Sequence, residues 1–181
     1  MIPSLFTFTI LFALVLLVVG IPFLAFPEKI RERVLAFPRN RIAGVVLMLL
    51  GGAWFLWKIW MLGQSDFGDY KEILFALFAA TLLGTIFYVQ DFLAVRGLAV
   101  LVLLSGNVGL KSAFGLYDIP ERLVLVSLIY LFVTISIFVG VMPYKMRDFL
   151  NWLYVSTARA RAFGTVFVMM ALALLVASFL Y

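Results

Sequence analysis

The chain has 181 residues, of which 66% are hydrophobic and 13% charged, where a soluble domain carries about 45–50% apolar and roughly 25% charged residues. So few charges cannot coat so much apolar surface in water, and a bilayer is the solvent this composition fits. Cysteine and histidine are both absent, which excludes disulfides, thiol nucleophiles, Cys- or His-ligated metals, the usual haem ligand and histidine acid–base chemistry.

A spanning helix needs about 20 mostly apolar residues. Six stretches qualify, at approximately 5 to 26, 42 to 62, 73 to 89, 97 to 116, 123 to 142 and 162 to 180. The expected fold is an all-α polytopic bundle, a single transmembrane domain built as three hairpins (about 1–62, 72–116 and 121–181). The third stretch is short and the fourth contains Lys111, so the alternative with fewer spans leaves one of these segments as a re-entrant or peripheral helix. The first span follows an uncharged start with no basic region and no small-residue cleavage site, so it is expected to remain as an anchor.

The formal charge of +5 is distributed by loop. Lys29, Arg31, Arg33, Arg39, Arg41, Arg96, Lys145, Arg147, Arg159 and Arg161, ten of the fourteen basic residues, follow the odd-numbered spans. The positive-inside rule then puts those loops in the cytoplasm and both termini outside. The opposite loops hold Asp66, Asp69, Glu72, Asp118 and Glu121. Basic charge here means orientation and attraction to anionic lipid headgroups, with no call for nucleic acid. Trp54, Trp57, Trp60 and Tyr70 gather where amphipathic rings favour the membrane boundary, and Lys58 can snorkel among them; an aromatic ligand cage is the alternative reading of that cluster.

Two segments repeat a pattern. Pro27, Lys29 and Arg31 match Pro143, Lys145 and Arg147; Arg39, Arg41 and Gly44 match Arg159, Arg161 and Gly164. Between the two basic clusters each copy reads as a short amphipathic helix with proline in its first turn, with Ile30, Val34 and Phe37 on one face of the first and Met146, Phe149, Leu150 and Leu153 on one face of the second. Both helices are expected to lie in the interface. Arg96 and Gly97 open the second span of the middle hairpin as a shorter echo. A span, a proline, a basic amphipathic helix and then Arg-x-x-Gly resembles a family of short two-span bacterial inner-membrane proteins of unknown function, over residues 20 to 50 and 140 to 175. The resemblance implies a bacterial inner membrane and no particular chemistry.

Polar groups within hydrocarbon are functional candidates, because an unsatisfied one costs several kcal/mol. Ser105, Asn107 and Lys111 form the candidate intramembrane site, the last two at i and i+4. Gly106 and Gly109 flank the asparagine, so either the helix is broken there to expose carbonyls, as in discontinuous transporter helices, or the glycines permit close packing while Asn107 bonds another helix and Lys111 snorkels. In the third span Ala76, Ala80 and Gly84 form a small-residue stripe for helix packing, beside a polar stripe of Thr81, Thr85 and Tyr88. Gln90 and Asp91 can cap that span or pair with Arg96. No metal or cofactor motif and no paired intramembrane carboxylates occur. The expected function is therefore a non-enzymatic accessory or scaffold subunit that binds lipid and other membrane subunits, or itself. The alternatives are a small-solute transporter or channel at Asn107 and Lys111, or a lipid enzyme using Arg39, Arg41, Arg159 and Arg161 to hold phosphate.

Overall fold

The computed structural model of the protein describes residues 3–181, all of whose regular structure is helical. Ser4 caps α1 (Leu5–Ala25) by accepting a hydrogen bond from the Thr7 amide. Phe26 ends it, because the ring of Pro27 disfavours helical backbone in the residue before it. Pro27 then opens α2 (Pro27–Ala36), where a missing N–H costs nothing. After a 3₁₀ turn at Phe37–Arg39, Asn40 caps α3 (Arg41–Trp60) with its side-chain oxygen on the Ala43 amide. There follow α4 (Lys71–Tyr88), α5 (Leu93–Ala113), α6 (Arg122–Val141), α7 (Tyr144–Leu153) and α8 (Thr157–Ser178), the last capped by Ser156.

Six of these helices (α1, α3, α4, α5, α6 and α8) are long and apolar enough to cross a membrane. The protein is an all-α, multi-pass membrane protein with two short amphipathic helices, α2 and α7. The third span is not deficient: with the 3₁₀ turn at its start it runs from Gly68 to Tyr88, 21 residues. The fourth also has 21 residues but starts at Leu93, four residues before the expected boundary. Hydropathy marks where hydrocarbon begins, whereas the backbone begins its helix where the preceding turn ends. Here that turn closes at Phe92, which sits in left-handed backbone (φ 56°), a conformation disfavoured for a bulky side chain. For the same reason α8 includes Arg159 and Arg161.

The helices cluster into two compact units. The first comprises the chain up to Leu35, Ser105–Ile135 and Arg147–Tyr181. Its axis is the antiparallel pair α1 and α8, which meet at Gly20 and Gly164. Lipid tails are as apolar as leucine, so dispersion from close backbone approach replaces the hydrophobic drive. Leu5, Ala13, Leu16, Ala171 and Leu174 of this pair pack with Leu125 and Ile129 of α6. A series of rings runs edge-to-face from Phe12 to Phe132 (5.6 Å) and Phe167 (5.9 Å), then through a tilted contact to Phe163 (4.6 Å) and edge-to-face to Phe23 (5.1 Å), each pair contributing about 0.5–1.5 kcal/mol beyond its buried area. Leu150 and Leu153 anchor α7, while in α2 Ile30 and Val34 are half-buried and the charged residues exposed.

The second unit comprises Ala36–Leu104 and Ser136–Met146. Within it α3 and α5 run parallel and in register, because Gly44 meets Leu93 and Ala94, Gly97 meets Leu47 and Met48, and Gly51 meets Val100 and Leu101. Against α4, α3 runs antiparallel through Gly52 with Leu82, Phe55 with Phe78 (5.0 Å) and Trp60 with Phe75 (5.7 Å).

Candidate functional site

The polar residues of the fourth span sit on an unbroken helix. α5 is continuous from Leu93 to Ala113, so the reading in which Gly106 and Gly109 interrupt it to expose carbonyls is not realised. Both glycines are buried and serve packing: a methyl on Gly106 would stand 2.9 Å from Val133, and one on Gly109 would collide with Phe8 and Ile129. Ser105 is half-buried, whereas Asn107 and Lys111 are exposed and have no side-chain hydrogen bond or ion pair among the described residues. Lys111 lies in the last turn of α5, where a cation is favoured by the helix dipole.

The stripe of Ala76, Ala80 and Gly84 faces away from the chain. Among the described residues none of α4 is buried, and a methyl on Gly84 would meet nothing within 4 Å. The opposite side of the helix carries Phe78, Leu82 and Thr85 toward α3 and a groove of about 300 Å³ between α3, α4 and α5. Thr81 and Thr85 line this groove, but each donates its hydroxyl to a backbone carbonyl one turn earlier, Leu77 and Thr81 respectively, both at 2.8 Å. No unmet hydroxyl is left in the groove, as the i−4 habit of threonine in membrane helices implies. Periodicity alone marks Thr81 and Thr85 as one face but not that α4 and α5 diverge beside it, so the groove was not visible in the sequence.

The basic residues are held mainly by rings and backbone. Lys29 lies 5.2 Å from the Phe26 ring centre, Arg39 5.9 Å from Phe92, Lys145 5.6 Å from Tyr144 and Arg159 4.9 Å from Trp152, whose carbonyl Arg159 also bonds at 3.2 Å. Arg147 pairs with its neighbour Asp148 at 2.7 Å. Arg31, Arg41 and Arg161 are exposed, with no side-chain hydrogen bond or ion pair among the described residues. Gln90 caps the end of α4 by donating to the Phe87 carbonyl (3.1 Å), while no Asp91–Arg96 pair occurs among the described residues. No protein family, curated protein or solved structure matches this chain.

At the opposite end Lys58 stacks over Trp57 (6.0 Å) and Lys71 over Trp60 (5.5 Å). Trp57 and Trp60 thus each take a separate lysine, and the two rings share no cation among the described residues. The Arg-x-x-Gly signature has a packing basis as well. Gly44 and Gly164 of the signature, and Gly97 of the shorter echo, each stand where a second helix backbone comes within about a methyl's reach, so small size at that depth is required by the crossing.

Proposed function

We propose that this protein is a non-catalytic subunit of a bacterial inner-membrane assembly. Its basic loops and the helices α2 and α7 face the cytoplasm with both termini outside, and its third span receives a partner helix. The observation that carries the reading is α4: an entire spanning helix with no buried residue, whose stripe of Ala76, Ala80 and Gly84 is open. Small residues at i, i+4 and i+8 let a second backbone approach closely, the means by which membrane helices associate. Asn107 supports the same reading, since an exposed amide within a span gains most from a hydrogen bond to another helix. An uninterrupted α5 offers a transported solute no backbone carbonyls, which weighs against the transporter alternative. The Pro-Lys-Arg and Arg-x-x-Gly repeat fits a duplicated hairpin unit, whose basic ends suit anionic headgroups.

The chain has no cysteine, so single cysteines can be introduced without background. Ala80→Cys and Gly84→Cys should give oxidative or bifunctional crosslinks to one stoichiometric product, a partner subunit or a second copy, in native membranes. Val18→Cys, at a position 73% exposed on α1, serves as the lipid-facing control. Equal crosslinking at all three positions, or a purified monomer that by itself moves solutes across liposomes, would overturn the proposal.

A further inference from the structure

The groove between α3, α4 and α5 uses the side of α4 opposite the Ala76–Gly84 stripe, so it is a separate feature from the partner-binding face. Its volume, about 300 Å³, lies at the small end of the range for ligand pockets. Its lining is side chains such as Met48, Phe55, Phe78 and Leu103, and both threonine hydroxyls are already bonded. An occupant must therefore be apolar along this stretch, since a polar one would leave its own groups unsatisfied in hydrocarbon.

Charge at one end selects among apolar occupants. On α3, Arg41 precedes Met48 by seven residues, two turns, and so heads the helix side that carries Met48, Gly52 and Phe55 into the groove. On α5, Arg96 precedes Val100 by four and Leu103 by seven, and heads the groove-lining side there. The contact of Gly97 with Leu47 and Met48 sets Arg96 about one turn from the level at which the groove begins. Neither guanidinium has a hydrogen bond or ion pair among the described residues; Arg39 close by stacks on Phe92. Asp91, in the turn before α5, is the carboxylate nearest in sequence, and it is exposed. An apolar side chain from another helix would fill the groove but leave these cations unmatched. A phospholipid supplies an acyl chain and an anion in the same molecule.

We propose that this groove is a binding site for an anionic phospholipid, with one acyl chain between α3, α4 and α5 and its phosphate held by Arg41 and Arg96. The guanidinium fork suits phosphate by charge-assisted, bidentate hydrogen bonds.

The test is native mass spectrometry of the full chain in mild detergent, titrated with phosphatidylglycerol or with phosphatidylcholine of the same acyl chains. Phosphatidylglycerol adducts should dominate. Arg41→Gln/Arg96→Gln should weaken them by about fivefold for each arginine removed and should weaken phosphatidylcholine, whose choline already offsets its phosphate, by less, so that the preference falls; Thr85→Phe, which fills the groove, should reduce both lipids. Arg41 is exposed and Arg96 half-buried, and the arginine arm does not depend on whether Thr85→Phe folds. Equal binding of the two lipids, or an unchanged preference in the arginine variant, overturns the proposal. So does displacement of the lipid by inorganic phosphate, which marks a free-anion site. Thr85→Phe abolishing a dimer while leaving adducts intact also overturns it, because the occupant would then be a second copy.

Discussion

Gly164 of α8 and Leu24 of α1 meet backbone to backbone: a methyl on Gly164 would stand 2.5 Å from the Leu24 amide nitrogen and 2.8 Å from the Gly20 carbonyl oxygen. Neither atom is the end of a flexible side chain, so the helices themselves would have to separate. Gly164→Ala should lower the stability of the purified chain by about 1–3 kcal/mol, the usual cost of overpacking. Gly84→Ala meets nothing within 4 Å and replaces a poor helix former by the best, so stability should hold or rise by up to about 1 kcal/mol. Thermal unfolding in detergent, followed by circular dichroism, compares the two directly.

That contrast shows what the sequence could and could not convey. Six spans were legible because each carries enough consecutive apolar residues to be counted, and the amphipathic faces of α2 and α7 because their charges fall at helical spacing. Boundaries at charged ends were misplaced, as at Arg96, Arg159 and Arg161, since a cation does not end a helix. Gly44 and Gly164 stood out as a repeated pattern, but their partners, the start of α5 and the end of α1, lie far away in the chain. The stripe at Ala76, Ala80 and Gly84 looked the same as one that is packed. Only the fold distinguishes Gly164, pressed against a backbone, from Gly84, open on its outer side.

Arg122, at the start of α6, bonds the carbonyl of Ala113 at 2.7 Å and lies 4.9 Å from the centre of the Tyr117 ring. One side chain thus closes the end of α5 and orders the loop between the two helices. Arg122→Ala should cost about 1.5–3 kcal/mol, the range for a hydrogen bond to a charged group, and should make the loop around Gly115 the first site cut in limited proteolysis. Arg122→Lys keeps the charge without the planar fork and should fall between. Cleavage rates equal to wild type in both variants would show that the loop is ordered by other means.

Tyr154, after α7, is 8% exposed, and its hydroxyl has no hydrogen-bond partner among the described residues. Burial raises its pKa above the usual 10.0, Glu28 adds to the rise and Arg31 opposes it. The native state therefore holds this proton more tightly than the unfolded chain. This contribution to stability is fully present below about pH 10 and is lost as pH rises through the native value. Tyr154→Phe removes both the titration and an unsatisfied buried oxygen. It should be neutral or stabilising by about 1 kcal/mol near pH 7 and should flatten the alkaline end of a stability–pH curve. A destabilised Tyr154→Phe would mean that the hydroxyl has a partner in the membrane.

Sidedness can be tested at two exposed loop positions, Phe114 (80% exposed) and Val155 (72%). The loop after α5 is acidic and the segment between α7 and α8 lies among the basic residues, so the positive-inside rule puts them on opposite sides. In intact bacterial cells a membrane-impermeant thiol reagent should label Phe114→Cys, and should reach Val155→Cys only after the cells are opened. The reverse pattern would invert the whole topology, since both positions report on the same set of spans.

Asn107 bears most directly on function. Its amide is exposed and has no hydrogen-bond partner among the described residues, while Gly106 and Gly109 on the same helix are buried against Val133, Ile129 and Phe8, so it stands outside the packing it adjoins. Asn107→Leu should leave the melting of the isolated chain within about 0.5 kcal/mol, as for other surface substitutions. If Asn107 bonds a partner helix, the same change should weaken association in the membrane by roughly 0.6–2 kcal/mol, read as reduced co-purification with an unchanged amount of folded chain. If Asn107 instead binds a transported solute, association should hold while flux into liposomes disappears. The two outcomes separate the subunit from the transporter because the residue has no role within the chain that could confuse them.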